Sequence, residues 1–177
     1  MLPKKPITDR KPRTKSSEQA LASLMRLCAR AEKCEGDARR LMQGWGVPTQ
    51  EAEAVLARLV RERFIDDSRY AAMFVREKMH LSGWGIYKIR AALQRKQVDK
   101  AHIEAALEQV NPEQMGTRLA EQLRRKLRTV KAKTPYDLRT KLMRYGLSLG
   151  YDFETVREAV TACAPNTNDS ACDDFYP

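Results

Sequence analysis

Aromatic residues are scarce in this 177-residue chain: Phe, Trp and Tyr together make up 7%, and there are eight Gly and eight Pro. A β-sandwich or barrel needs many turn residues and many aromatic or β-branched strand residues, so this composition argues against one. No run of eighteen apolar residues occurs, which leaves no candidate for a membrane-spanning helix. The basic start MLPKKPITDRKPRTK has no apolar stretch behind it and lacks the pattern of a secretory signal, so a cytoplasmic location is expected. Histidine is limited to His80 and His102, each in a helical pattern with no nucleophile or metal-ligand partner beside it. A phosphate-cradling loop is missing too, because Gly83-x-Gly85 is too short and follows a helix. The four cysteines, Cys28, Cys34, Cys163 and Cys172, lack C-x2-C spacing and read as small buried hydrophobes plus one thiol in the tail. The expectation is a protein that is not an enzyme and carries neither cofactor nor metal.

What the chain has is positive charge and helical periodicity. Hydrophobic residues reach 42%, enough for a core, and the formal net charge is +10, which suits a polyanion or an acidic partner. The charge is graded. Residues 1–16 carry six Lys or Arg against one Asp, residues 17–66 balance at eight against eight, and residues 111–163 hold eleven against six. Residues 1–16 read as a disordered basic arm and 164–177 as a disordered acidic tail.

Between the arms the apolar spacing is helical throughout. Leu21, Leu24, Met25 and Cys28 recur at i, i+3, i+4 and i+7, as do Ala52, Val55, Leu56 and Leu59, and Ile103, Ala106, Leu107 and Val110. Asn111-Pro112 and Thr134-Pro135 each place a capping side chain before a proline at the first helical position. Asp66 or Asp67 caps a further helix, with Tyr70, Phe74 and Leu81 along one face and Ala71, Val75 and Met79 beside it. Nine helices follow, near 17–32, 35–44, 48–63, 67–81, 86–96, 99–110, 112–131, 135–148 and 152–163. Shifting the chain by 51 residues lays Ala38, Met42, Val47, Ala52 and Leu56 on Ile89, Leu93, Val98, Ile103 and Leu107. A further 53 brings Ile89, Val98, Ile103 and Leu107 onto Leu142, Tyr151, Val156 and Val160. The turn after the second helix has Gly46 and Gly150 in the outer copies and Gln97 in the middle one. The fold class expected is all-α: three tandem three-helix repeats, at 17–66, 67–110 and 111–163, forming an elongated, curved array.

Residues 63–79, RFIDDSRYAAMFVREKM, run directly into SGWGIYKIRAALQRKQV at 82–98. The positions Ile65, Asp66, Asp67, Arg69, Tyr70, Gly83, Trp84, Gly85, Lys88, Ile89, Arg90 and Leu93 resemble the pattern of the RecX family, and LGYDFETVREAV resembles its closing turn and helix. The resemblance covers residues 17–163, with two departures: Cys34 where a Ser cap is usual, and Gln97 where glycine is usual. It implies a monomeric regulator, a protein that binds the RecA–DNA filament in its groove and inhibits recombinase, ATPase and co-protease activities.

Candidate contact residues are Trp84, set between two glycines at a corner, and the cations Lys88, Arg90, Arg95 and Lys96 of the middle repeat. A denser run follows late in the seventh helix, Arg124, Arg125, Lys126, Arg128, Lys131 and Lys133, with Arg139, Lys141 and Arg144 in the next. Six cations in ten residues with no acid among them call for phosphate or an acidic protein face. The partners expected are the RecA filament and single-stranded DNA. The alternative is a direct nucleic-acid-binding protein with helix-turn-helix-like units, although Asn and Gln are scarce on the basic helices. The tail, ending Asp173-Asp174-Phe175-Tyr176-Pro177, is expected to compete for the basic surface.

Overall fold

A computed structural model describes residues 14–164; the acidic tail beyond Ala164 and the basic arm before Thr14 lie outside the described residues. Among the described residues there are nine helices and no strand: α1 Ser17–Cys28, α2 Glu35–Gly44, α3 Thr49–Arg61, α4 Asp67–Ser82, α5 Ile86–Arg95, α6 Lys100–Glu108, α7 Pro112–Leu127, α8 Pro135–Ser148 and α9 Phe153–Cys163. They fall into three successive groups of three.

Local chemistry sets most of the starts. Ser16 and Gln19 form a reciprocal capping box on α1. The Asn111, Thr134 and Asp152 side chains accept the first free amides of α7, α8 and α9. Lys15, in the segment read as a disordered arm, donates its backbone N–H to the Trp45 carbonyl, and its ammonium sits 3.6 Å from the Trp45 ring centre.

Two ends fall short of expectation. Helix α1 stops at Cys28, and α7 stops at Leu127. After Leu127 the amides of Thr129 and Val130 both return to the Lys126 carbonyl, and the Thr129 hydroxyl donates to the same oxygen. That converts the last turn into a tight closure, and Arg128, Lys131 and Lys133 sit at or beyond the helix end. Leu81, expected on the same face as Tyr70 and Phe74, is instead 80% exposed in the final turn of α4.

The chain divides into two compact units. One runs to Tyr70 and takes in Lys96–Asp99; the other holds Ala71–Arg95 and the chain from Lys100 onward. The first unit has a core of Leu24, Met42, Val55, Leu56, Leu59 and Ile65 with several smaller residues. In the second, Ile89, Leu93, Ile103, Leu119, Leu123, Leu142, Val156 and Val160 are at most 1% exposed. Burying each leucine or isoleucine contributes about 1.5–3 kcal/mol.

The three turns after α2, α5 and α8 share one backbone conformation. Gly46, Gln97 and Gly150 all have positive φ, at 69°, 62° and 88°. Gln97 therefore reproduces the glycine turn at a cost of roughly 1–2 kcal/mol for its Cβ. Gly116 is a different case. It lies inside α7, where glycine costs about 1 kcal/mol relative to alanine, and nothing lies within 4 Å of the point a Cβ would occupy.

Candidate interaction surface

Asp66 and Asp67 divide the capping between two helices. Asp66 accepts the Arg69 amide at 2.9 Å and caps α4, while Asp67 accepts the Glu35 amide at 2.8 Å and caps α2. The second contact explains how α2 tolerates Cys34 at its N-cap, whose side chain makes no cap bond. Cys34 is buried, its thiol donates to the Lys96 carbonyl at 3.6 Å, and burial pushes its pKa up to about 11, which makes it inert. Cys28 and Cys163 are half-buried, and Cys172 lies outside the described residues.

The middle-repeat cations are mostly engaged within the fold. Lys96 bonds both carboxylate oxygens of Asp37, at 2.8 and 3.0 Å, and lies 5.5 Å from the Tyr70 ring. Arg90 makes a two-pronged contact with Glu104, each bond 2.8 Å. The Lys88 ammonium donates to the Ser148 carbonyl at 3.0 Å and lies 4.9 Å from the Trp84 ring centre. Trp84 itself is half-buried, edge-on to Phe74 at 6.5 Å. These four residues hold the corner and the turns together, and of the four cations predicted there, Lys88, Arg90, Arg95 and Lys96, only Arg95 is exposed.

Burial pushes the Asp37 carboxyl up, but the hydrogen bond and charge of Lys96 outweigh it and leave the pKa below the usual carboxylate value. A lowered folded-state value gives stability that is complete above the unfolded pKa near 4 and is lost as pH falls through the folded one. Asp37→Asn should therefore destabilise the protein by about 1–2 kcal/mol at neutral pH. The two unfolding curves should converge as pH drops below about 4. Urea unfolding across pH 3–7 checks this, and a constant gap would exclude the ion pair as its source.

The third repeat differs. Arg124, Arg125, Arg128, Lys131, Lys133 and Arg144 are exposed, and no ion pair among the described residues involves their side chains. Lys126 is half-buried, 5.3 Å from the Tyr145 ring, whose hydroxyl donates to Gln122 at 3.1 Å. Lys141 pairs with Asp137 at 2.7 Å and donates to the Lys131 carbonyl. Arg139 is buried and donates to the Thr161 hydroxyl at 3.2 Å. Of the predicted residues, the structure thus leaves Arg95, Arg144 and the segment from Arg124 to Lys133, apart from half-buried Lys126, facing solvent, and turns Arg139 inward. The apolar neighbours of Arg139 in sequence, Leu138 and Leu142, carried the only hint of that.

His80 and His102 are exposed, and among the described residues no group of three His, Cys, Asp or Glu side chains is placed to hold a metal. No helix among the described residues is long and apolar enough to cross a membrane.

Tandem three-helix units bearing an exposed cationic segment define a helical-repeat protein. Residues 66–107 match the family model for the second three-helix domain of RecX, and residues 113–160 match that for the third. A regulatory protein RecX from Mycolicibacterium vanbaalenii is 32% identical over 124 residues, spanning 70% of this chain and 67% of that protein. One from Thermobifida fusca is 27% identical over 149 residues, 81% of this chain and 80% of the relative. Two solved structures share the fold. A regulatory protein RecX superposes with a TM-score of 0.74 at 20% identity over 85% of this chain and 73% of its own. RecX from Lactobacillus salivarius gives 0.67 at 16%, over 82% of this chain and 95% of its own. The chain belongs to the RecX family of regulatory proteins.

Proposed function

We propose that this protein binds the RecA–DNA filament in the cytoplasm and restrains it, lowering recombinase, ATPase and co-protease activity during DNA repair and recombination. Its own chain performs no catalysis, and it acts as a monomer on RecA. The observation that carries the reading is the solvent-facing run Arg124, Arg125, Arg128, Lys131 and Lys133, cations without an acid partner among the described residues, on a chain of this family. A filament wrapped on single-stranded DNA offers both phosphates and acidic protein faces to such a run. Direct nucleic-acid binding is the second reading, favoured by the same exposed cations.

Added below the molar amount of RecA, the protein should slow ATP hydrolysis on single-stranded DNA, and alone it should hydrolyse none. Inhibition that appears only at amounts that coat the DNA would favour the second reading. Hydrolysis that survives further purification would overturn the non-enzymatic one.

A further inference from the structure

The second compact unit contains a cleft of about 390 Å³ that the contacts described above leave unused. Its walls are mostly apolar, with Ile86, Val110, Pro112, Met115 and Tyr87, which is 60% exposed, while Arg90, Asp152 and Thr155 add polar groups to the lining. Two features mark it as more than a packing gap. Tyr151, a lining residue only 5% exposed, has a buried hydroxyl with no hydrogen-bond partner. A phenol buried this way ordinarily finds an acceptor or donor. Gly116, also in the lining, is the glycine inside α7 whose missing side chain neither the backbone nor any neighbour requires. Any larger residue there would project into space that the cleft now keeps open.

The chain itself supplies a segment that matches. Residues 165–177 carry Asp169, Asp173 and Asp174 and two adjacent aromatics, Phe175 and Tyr176. The second unit's residues up to Ala164 hold seventeen Lys or Arg against nine Asp or Glu, so the charges are complementary. Reach is sufficient. Asp152 and Thr155, at the start of α9, line the cleft, and the eleven residues of α9 span about 16 Å. Ten residues after Ala164 extend up to about 33 Å, twice the distance back to that end.

We propose that the Phe175–Tyr176 segment of the acidic tail docks in this cleft in cis, an aromatic side chain filling the space beside Gly116 and Met115. The docked tail lays its carboxylates over the cationic unit and weakens that unit's hold on a polyanion. Tethering makes a weak contact sufficient. At an effective concentration of about 1 mM, a dissociation constant near 1 mM already gives half occupancy. The inference stands on the cleft alone and does not depend on the filament as partner.

The test is the methyl resonance of Met115 in the full chain, assigned with Met115→Leu. Aromatic ring currents displace a methyl group in contact with the ring. The double variant Phe175→Ala/Tyr176→Ala should shift this resonance, with Met42 in the other unit unchanged as the control. A synthetic peptide of residues 165–177, added to that variant at about millimolar concentration, should restore the original position. Gly116→Trp should occupy the cleft and remove the difference between native and altered tails, while Gly116→Ala should preserve it. Should Gly116→Trp lose its helical circular dichroism, the tail variant and the peptide still decide. An unmoved Met115 resonance with no response to peptide overturns the proposal. So does a shift that grows with protein concentration, which assigns the occupant to a second copy. Peptide-induced shifts confined to Arg124–Arg128 would put the tail on the basic segment and overturn it equally.

Discussion

Replacing Arg124, Arg125, Lys126 and Arg128 together by Glu should strongly weaken polyanion-dependent binding while leaving the helical circular dichroism spectrum intact. Glutamate keeps helix propensity high, and three of the four side chains are exposed with no ion pair among the described residues. The structural costs are the loss of Lys126 from its position over the Tyr145 ring and the reversal of charges that complement the α7 dipole. For a surface that meets six to ten phosphates, native affinity should fall by about 10³–10⁵ between 50 and 200 mM salt. Each cation removed should lower the slope of log affinity against log salt by about one. Four substitutions therefore predict a slope shallower by about four. Fluorescence anisotropy with labelled single-stranded DNA, with and without RecA, measures both quantities. A native slope near zero would mean that the cations meet a protein face or only water. An unchanged affinity in the variant would return the segment to a solvated helix end that merely complements the α7 dipole.

The second large effect concerns folding. Gly85→Ala and Gly150→Ala should each destabilise the second unit by roughly 2–5 kcal/mol, measured by urea unfolding. At this point two backbones touch. The Gly85 and Tyr87 amides, which the start of α5 leaves without helical partners, donate to the Leu149 and Gly150 carbonyls at 2.8 and 3.1 Å. A Cβ at Gly85 would overlap the Gly150 carbonyl, and one at Gly150 would overlap Lys88 while also sitting at φ 88°. Backbone atoms cannot step aside as a side-chain tip can, so the contact must open. Gly44→Ala is the control: nothing lies within 4 Å of its Cβ position at the end of α2, and stability there should hold or rise slightly. Equal stabilities for Gly44→Ala and Gly85→Ala would mean that the α5 start and the α8–α9 turn are not in register.

The sequence made the helices legible because their signals are local. Apolar spacing of three and four, an Asn-Pro and a Thr-Pro start, and a recurring turn position each act within one or two turns of chain. The same reasoning overran α7, whose end is set by the Thr129 and Val130 amides competing for the Lys126 carbonyl. It also looked to Asp66 or Asp67 for the α4 cap and gave neither a second helix to cap. The bond from Glu35 to Asp67 joins residues 32 apart, and nothing in a window of neighbouring residues announces such a contact.

The candidate surface shows the same division. The order of residues alone established that this chain is helical, repetitive and basic, and that its cations concentrate after Leu123, because charge placement and periodicity are properties of that order. Only the tertiary structure decided which cations are available. Arg90, Lys96 and Lys141 are tied to Glu104, Asp37 and Asp137, Lys88 is held by a carbonyl, and Arg139 is buried, whereas Arg124, Arg125 and Arg128 face water. An ion pair between residues 14 or 59 apart, or the inward turn of an arginine, depends on how helices meet. That is fixed by the packing of each unit's core, Leu24, Met42 and Leu59 in the first and Leu119, Leu123, Leu142 and Val156 in the second, which hydrophobic spacing marks as inward-facing without saying which partners they find.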